Sequence, residues 1–514
     1  MTATPTIRKA LALMALLLAV TVSYHRAFVN DFAWDDNYIV LDNPAIQDLS
    51  GVGDLFLSPW AMGVGYELGD TQNRAYYRPL ALSSMALDWA LAGPDPLVFH
   101  TTNLVIHLLT SVLLFLWLTR VFRWSAGPAS WLWPLGVALL YAVHPVHTEA
   151  VNLISYRTTL LSGLFGFALL WVLSVREGGL PTIALGILFF ACSLLSKETG
   201  LVFVGLLGLH DLYRDRLKPG RLVRVYVPLA LVGAAYLLLR SQVTGGGVYS
   251  FFEGLDGFQM ALMVPRVFFL YVRLCLFPDP LCPFYDWNVL GVPTGLLEPD
   301  ILAGILVMAA CLAGVFLLRR RAPLASFGLA FFLVALLPVS HIVPFFDAAG
   351  ERFLYVPLAG FLVALAGLAA ALPSTPVLRS LGMAATALVF LGFSGLTMVR
   401  TAEWRDSETV LKATVRDFPT SLSAQMGLGR LLLEDGRPKE AVENLESVTR
   451  IAQNLAVGHG LLAVAKARSG DVRGARATLM SAPPPQARLP SAAQVARQEF
   501  IDKREARLLR AMDL

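Results

Sequence analysis

The sequence predicts an all-α, polytopic membrane protein of about eleven transmembrane helices, followed by a C-terminal α-solenoid. Three observations support this. Of 514 residues, 56% are hydrophobic and only 15% charged, where a soluble chain carries about a quarter charged. Many apolar runs reach the roughly 17–22 residues that cross a bilayer. Beyond residue 400 the hydropathy falls and a 34-residue period begins. The net charge of +4 and the lack of a long basic run set nucleic-acid binding aside.

The first apolar segment, about Ala10–Tyr24, follows Arg8 and Lys9 and runs into His25-Arg26-Ala27-Phe28. No small-x-small cleavage site precedes a soluble domain, so it reads as a retained signal anchor with a cytoplasmic N-terminus. The spans are then expected at 10–27, 98–120, 131–146, 151–175, 180–196, 199–212, 224–240, 301–318, 323–340, 353–372 and 379–399. With this layout the short cytoplasmic loops carry Arg120 and Arg123, Arg176, Arg214 to Arg224, and Arg319-Arg320-Arg321, as the positive-inside rule requires. The loop 373–379 is weakly basic and fits the same side. Segment 259–277 is apolar but holds Arg266 and Arg273 and is bounded by prolines. Counting it as a span would put Arg319-Arg320-Arg321 outside, so it reads as an interfacial or re-entrant helix on the outer side. Cys192, Cys275, Cys282 and Cys311 are too few for a disulfide scaffold; only Cys275 and Cys282 are close enough in sequence to suggest a bridge.

Leu428, Gly436, Ala441 and Leu445 recur as Leu462, Gly470, Ala475 and Leu479, each 34 residues later. That is the tetratricopeptide period. Trp404, Leu411 and Pro419 suggest a degenerate earlier unit. So few repeats need support, and docking on the membrane domain is expected. The organisation is therefore a membrane domain over 1–400, with a first extracytoplasmic loop over 28–97, a repeat domain over 401–482, and a tail over 483–514. The tail opens on Pro483-Pro484-Pro485 and is expected to hold a charged helix over about 490–511.

Six polar motifs fall on the non-cytoplasmic side. Asp35 and Asp36, in Phe32-Ala33-Trp34-Asp35-Asp36, lie just past the first span. One of an adjacent carboxylate pair can take a proton while the other orients it, although such a pair also makes an Asx-type turn. Tyr76-Tyr77-Arg78-Pro79-Leu80 offers a guanidinium that can clamp a phosphate, or only snorkel. His100, Asn103 and His107 share one helix face, as inward-facing ligands or as interhelical glue. His144-Pro145-Val146-His147-Thr148-Glu149 holds two histidines and a glutamate; Pro145 breaks helical register, so substrate hydrogen bonding or loop ordering fits better than a metal. Ser196-Lys197-Glu198-Thr199-Gly200 pairs a lysine with a glutamate. Glu351-Arg352-Phe353-Leu354-Tyr355-Val356-Pro357 opens a late span, with His341 and Asp347 in the same outer loop. Arg78, Lys197 and Arg352, backed by Arg266 and Arg273 on the interfacial segment, suit an anionic lipid head. A transporter would instead cluster polar residues at mid-membrane on broken helices.

In order, these motifs resemble the transmembrane and tetratricopeptide repeat-containing O-mannosyltransferases, a GT-C-fold family related to the protein O-mannosyltransferases. The likeness runs from about residue 28 to 360, with repeats following. The resemblance implies a polyprenyl-phosphate-linked sugar donor, typically of mannose, and inverting transfer to a protein hydroxyl. It implies that Asp36 or Asp35 is the general base, that Arg352 and then Lys197 hold the donor phosphate, and that His100, Asn103, His107, His144, His147, Glu149, Glu198 and Glu351 bind substrate or order the site. No cofactor is required on this reading, a divalent cation being optional because the lipid phosphate is already a good leaving group. The partners implied are the lipid donor, the bilayer and a protein acceptor engaged by the repeats. Family members have long repeat arrays; this chain has two or three. The alanine, leucine and arginine content suggests a bacterial inner membrane with catalytic loops and repeats in the periplasm. Two other readings are an O-antigen ligase or polymerase, which would want its long outer loop late in the chain rather than at 28–97, and a non-catalytic membrane-anchored repeat scaffold.

Overall fold

The structure, a computed structural model, describes residues 5–60, 76–124, 131–175, 179–245, 255–342, 347–372 and 375–483. The tail helix expected over 490–511, Arg176 and Pro373 lie outside the described residues. Among the described residues every regular element is helical.

The membrane part comprises α1 (Pro5–Ser23), α2 (Pro79–Ala92), α3 (Pro96–Val121), α4 (Leu132–Ala142), α5 (Arg157–Leu173), α6 (Leu180–Ser196), α7 (Val202–Tyr213), α8 (Val227–Thr244), α9 (Gly257–Leu276), α10 (Pro299–Leu317), α11 (Pro323–Leu336), α12 (Pro357–Ala371) and α13 (Pro376–Glu403). Seven helical segments are long and apolar enough to cross a membrane: Thr6–Ser23, Pro96–Trp124, Ile154–Leu173, Pro219–Thr244, Gly257–Leu276, Pro299–Leu317 and Pro376–Glu403. The chain is thus a multi-pass membrane protein.

Several expected spans are shorter than their apolar runs. The run 131–146 is helical only to Ala142, and 353–372 only from Pro357. The remainder is 3-10 turns and irregular backbone, and residues 141–155 are buried. Such backbone is tolerated at membrane depth only where protein surrounds it. Its apolar side chains serve the protein core rather than lipid.

Segment 257–276, expected to lie on the interface, is a continuous helix of spanning length. It packs along α10 and reaches α11, where the Phe268 ring lies 5.9 Å from that of Phe332. Gln259 donates to the Pro293 carbonyl at 3.5 Å, Arg266 to that of Gly291 at 2.7 Å, and His144 meets the Cys275 carbonyl at 3.2 Å. Asp300, in the first turn of α10, forms an ion pair with Arg266 at 2.7 Å. Cys275 and Cys282 are free thiols, as are Cys192 and Cys311, so the suggested bridge is not formed.

The C-terminal helices are α14 (Ser407–Asp417), α15 (Leu422–Glu434), α16 (Pro438–Ile451), α17 (Ala456–Arg468) and α18 (Val472–Met480). The starts of α15 and α17 are 34 residues apart, as are those of α16 and α18. Gly436 and Gly470 turn the two hairpins with φ of 72° and 97°, a backbone region costly for other residues. Ala441 and Ala475 are fully buried where the paired helices meet.

This domain docks on the membrane part, as expected. The Asp31 N–H donates to the Arg405 carbonyl at 2.7 Å, and Asp286 accepts from the Ser423 N–H at 2.9 Å and the Ser421 hydroxyl at 3.1 Å. The opposite end of the bundle is basic. There Arg216 donates to the carbonyls ending α5, and Arg221 pairs with buried Asp211.

Candidate active site

All the polar motifs meet at the end of the bundle on which the C-terminal helices dock. The two aspartates are placed differently. Asp36 is fully buried, and its oxygens accept the N–H groups of Ile154 at 3.0 Å and Ser155 at 2.7 Å. Burial, with a smaller contribution from Asp35, pushes its carboxyl up to about 7 against the pull of those two donors. Asp36 therefore pins the loop 153–156 to the aspartate loop. Asp35 is half-buried and acts electrostatically on Tyr156. Trp34, which precedes them, has a left-handed φ of 50°. Its N–H donates to the Ser407 hydroxyl at 2.9 Å, and its ring packs 4.5 Å from Phe284. A Cβ on Gly427 of α15 would sit 3.0 Å from that ring. The aspartate loop is thus clasped by the C-terminal domain.

Arg352 lies on a 3-10 turn, Glu351–Leu354, directly before α12. Buried Glu149 accepts from both its backbone N–H, at 2.6 Å, and its guanidinium. Asp347 takes the other side at 2.7 Å. Burial opposes the Arg352 charge, but Glu149 and Asp347 hold it firmly protonated. The guanidinium lies 4.3 Å over the Tyr156 ring and 4.6 Å over Phe353. Gly350 permits this, because a Cβ there would be 2.8 Å from Nη1.

Lys197 follows the last turn of α6. It is buried, and its ammonium donates to Thr159 at 2.8 Å and lies 5.4 Å from the Phe353 ring centre. Burial, then Arg78 and Arg352, lower it to about 7. Arg78 makes a bidentate pair with Glu198 at 2.7 and 3.1 Å. Burial raises Glu198, but Arg78 outweighs it and holds the carboxyl down near 2. Lys197, Arg352, Thr159, Phe353 and Tyr355 line a small cleft with a cavity volume of about 40 Å³.

The remaining expected residues are mostly held within the protein. His100 meets the Asp31 carbonyl at 3.3 Å. Asn103 donates to the Val151 carbonyl at 3.0 Å and accepts from Arg157 at 2.7 Å. His107 bridges the Tyr355 hydroxyl and the Ala142 carbonyl, both at 3.0 Å. His147 is buried among the rings of His107, Tyr141 and Tyr355, and neither of its nitrogens has a hydrogen-bond partner. Burial pushes Glu351 up to about 8; it accepts from the Tyr285 hydroxyl at 3.5 Å. Arg266 is tied to Glu298 and Asp300, and Arg273 acts electrostatically on Tyr285; neither lines the cleft. Among the described residues no three His, Cys, Asp or Glu side chains converge on a metal position.

Sequence reasoning missed Arg157, Asp88 and Tyr156. Fully buried Arg157 pairs with Asp88 at 2.6 Å and with the Phe99 carbonyl at 2.9 Å. It joins α2, α3 and α5 beneath the aspartate loop.

No family model matches the chain. It is 28% identical over 483 residues to protein O-mannosyl-transferase TMTC4 of Homo sapiens, covering 82% of this chain and 64% of that protein. It is 26% identical over 554 residues to protein O-mannosyl-transferase TMTC1 of Mus musculus, covering 84% and 57%. Drosophila melanogaster protein O-mannosyl-transferase Tmtc3 is 25% identical, covering 86% and 55%. The chain is similar to protein O-mannosyl-transferases. The resemblance carried by its motifs is therefore borne out, and the chain spans less than two thirds of the length of these relatives. Among solved structures, the crystal structure of ArnT from Cupriavidus metallidurans bound to undecaprenyl phosphate matches with a TM-score of 0.40 at 14% identity, covering 90% of this chain and 78% of that one.

Proposed function

We propose that this chain is an inverting GT-C glycosyltransferase. It moves a sugar, mannose by analogy with its relatives, from a polyprenyl-phosphate donor to a hydroxyl, in the first instance a protein Ser or Thr. The observation that carries this reading is the convergence of Arg352 and Lys197 on one cleft, with Asp35 acting electrostatically on the tyrosine on which Arg352 rests. Two cations on an aromatic floor suit a lipid phosphate with an adjoining sugar. The names of the relatives support the same chemistry.

In the reaction, the acceptor oxygen attacks the anomeric carbon and its proton passes to a carboxylate. The bond from that carbon to the phosphate oxygen breaks, and its electron pair leaves with the phosphate, facing Arg352 and Lys197. A single in-line displacement inverts the centre without a covalent intermediate. Asp35 suits the base better than Asp36, because both Asp36 oxygens are occupied by backbone donors inside the protein. Asp36 orients the loop.

The helices over 401–482 are proposed as a tetratricopeptide domain that presents the acceptor, on the strength of the shared 34-residue offset. The basic end of the bundle fits the cytoplasmic side of a plasma membrane, the site end facing the opposite side. The deciding experiment is sugar transfer from a synthetic polyprenyl-phosphate mannose by wild type, Asp35→Asn and Asp36→Asn. Asp35→Asn is expected to lose transfer while still binding the donor. Full activity in both variants would end the base assignment.

A further inference from the structure

The two acids on Arg352 differ in kind. Glu149 is 1% exposed and accepts from both the main chain and the guanidinium of Arg352, so its bond belongs to the fold. Asp347 is 31% exposed and touches only the outer nitrogen, Nη2, at 2.7 Å. It also acts electrostatically on Lys197, which lines the cleft, and on Tyr156 and Tyr76. Lys197 and Arg352, which line the cleft, and neighbouring Arg78 are accompanied by the acids Glu198, Glu149 and Asp347. Glu198 holds Arg78 through Nε and Nη2, and Glu149 holds one side of Arg352. An arriving phosphate therefore adds an unmatched negative charge unless one acid gives way. Of the three, Asp347 has the most solvent to turn into and the fewest bonds to lose.

Building on the donor reading above, we propose that Asp347 is a placeholder for the donor phosphate: its carboxylate occupies the Arg352 nitrogen that a phosphate oxygen takes when the lipid binds. A carboxylate and a phosphate present the same paired oxygens to a guanidinium, so the exchange keeps the hydrogen bond and swaps its acceptor. While Asp347 is in place, Arg352 is held in binding geometry and its charge is masked from stray anions. The cost is weaker donor affinity. The sign of the mutational effect is therefore inverted relative to an ordinary site acid: removing Asp347 tightens lipid-phosphate binding. The leaving polyprenyl phosphate carries more charge than the donor, so it gains at least as much.

The test is titration of the purified full chain in detergent with undecaprenyl phosphate, for wild type, Asp347→Asn, Asp347→Ala and Glu149→Gln. Both Asp347 variants are expected to bind roughly two- to fivefold tighter, the range for removing one part-exposed competing charge. Product inhibition of sugar transfer should strengthen in step. Glu149→Gln is expected to bind more weakly, since it loosens Arg352 itself. Unchanged or weaker binding by both Asp347 variants, with wild type binding normally, overturns the placeholder. No binding by wild type, at lipid levels where Arg352→Lys is equally inert, overturns the donor reading and this proposal with it. A thermal melt of each variant separates these outcomes from misfolding.

Discussion

Gly350→Ala is a small change with a calculable effect. The Gly350 backbone is extended, with φ of −168°, so alanine brings no backbone strain. The added Cβ would lie 2.8 Å from Arg352 Nη1 and 3.1 Å from its Cζ. Ordinary carbon–nitrogen contact needs about 3.4–3.5 Å, so the guanidinium must retreat by roughly 0.6 Å. It is held there by Glu149 on one side and Asp347 on the other. Charge-assisted bonds of this kind contribute about 1.5–3 kcal/mol each and weaken steeply with misalignment. Losing most of one, about 2 kcal/mol, lowers kcat/KM for the lipid donor about 30-fold. Steady-state transfer kinetics at varied donor and saturating acceptor read this directly, with acceptor KM unchanged. A kcat/KM within threefold of wild type would refute the claim that Arg352 placement limits donor binding.

Lys197 gives a pH signature. Burial and its basic neighbours hold its pKa down to about 7, below its unfolded value, so the folded protein binds fewer protons between about 7 and the usual lysine range. Stability therefore rises with pH across that window, while donor affinity falls above about 7 as the ammonium is lost, by at most tenfold per unit; Lys197→Arg should flatten the binding profile in a titration at pH 6 to 9. Asp36 behaves oppositely. Its pKa is raised to about 7, so stability falls as pH climbs from about 4 to 7, and Asp36→Asn removes that slope from a series of thermal melts. Ser407→Ala should lower kcat severalfold with donor KM unchanged, because it frees the Trp34 N–H and loosens the aspartate loop, and Ser407→Thr should restore it. Arg157→Met leaves Asp88 buried without its partner and is expected to cost about 3–5 kcal/mol, visible as a large drop in melting temperature.

Polar residues stand out in so apolar a chain, which is why Arg352, Lys197, Glu149 and both aspartates were legible in the sequence. Spacing alone does not say which of them pair. Arg157 sits unremarked between Tyr156 and Thr158, and its partner Asp88 lies 69 residues earlier on α2, a relation that only the packed helices reveal. The roles of Asp35 and Asp36 were likewise hidden, because the difference lies in two N–H groups supplied by residues 154 and 155. Helix lengths were overread for a different reason. Hydropathy counts apolar residues without knowing whether lipid or protein covers them, so buried segments such as 143–146 and 353–355 look like parts of a span. Arg266 and Arg273 share a segment and a composition, yet the salt bridges of Arg266 to Glu298 and Asp300 take it away from the cleft.

The bond from Trp34 to Ser407 joins residues 373 apart in the chain. At roughly 5–20 residues per second, a ribosome needs about 20–75 seconds to travel that distance. Throughout that interval the aspartate loop has already left the ribosome while the helices that clasp it have not been made. The nascent protein is thus inserted in its membrane well before its carboxylates are set. The clasp on the aspartate loop is a late event of biogenesis, made after α14 and α15 have emerged and folded back onto the first loop.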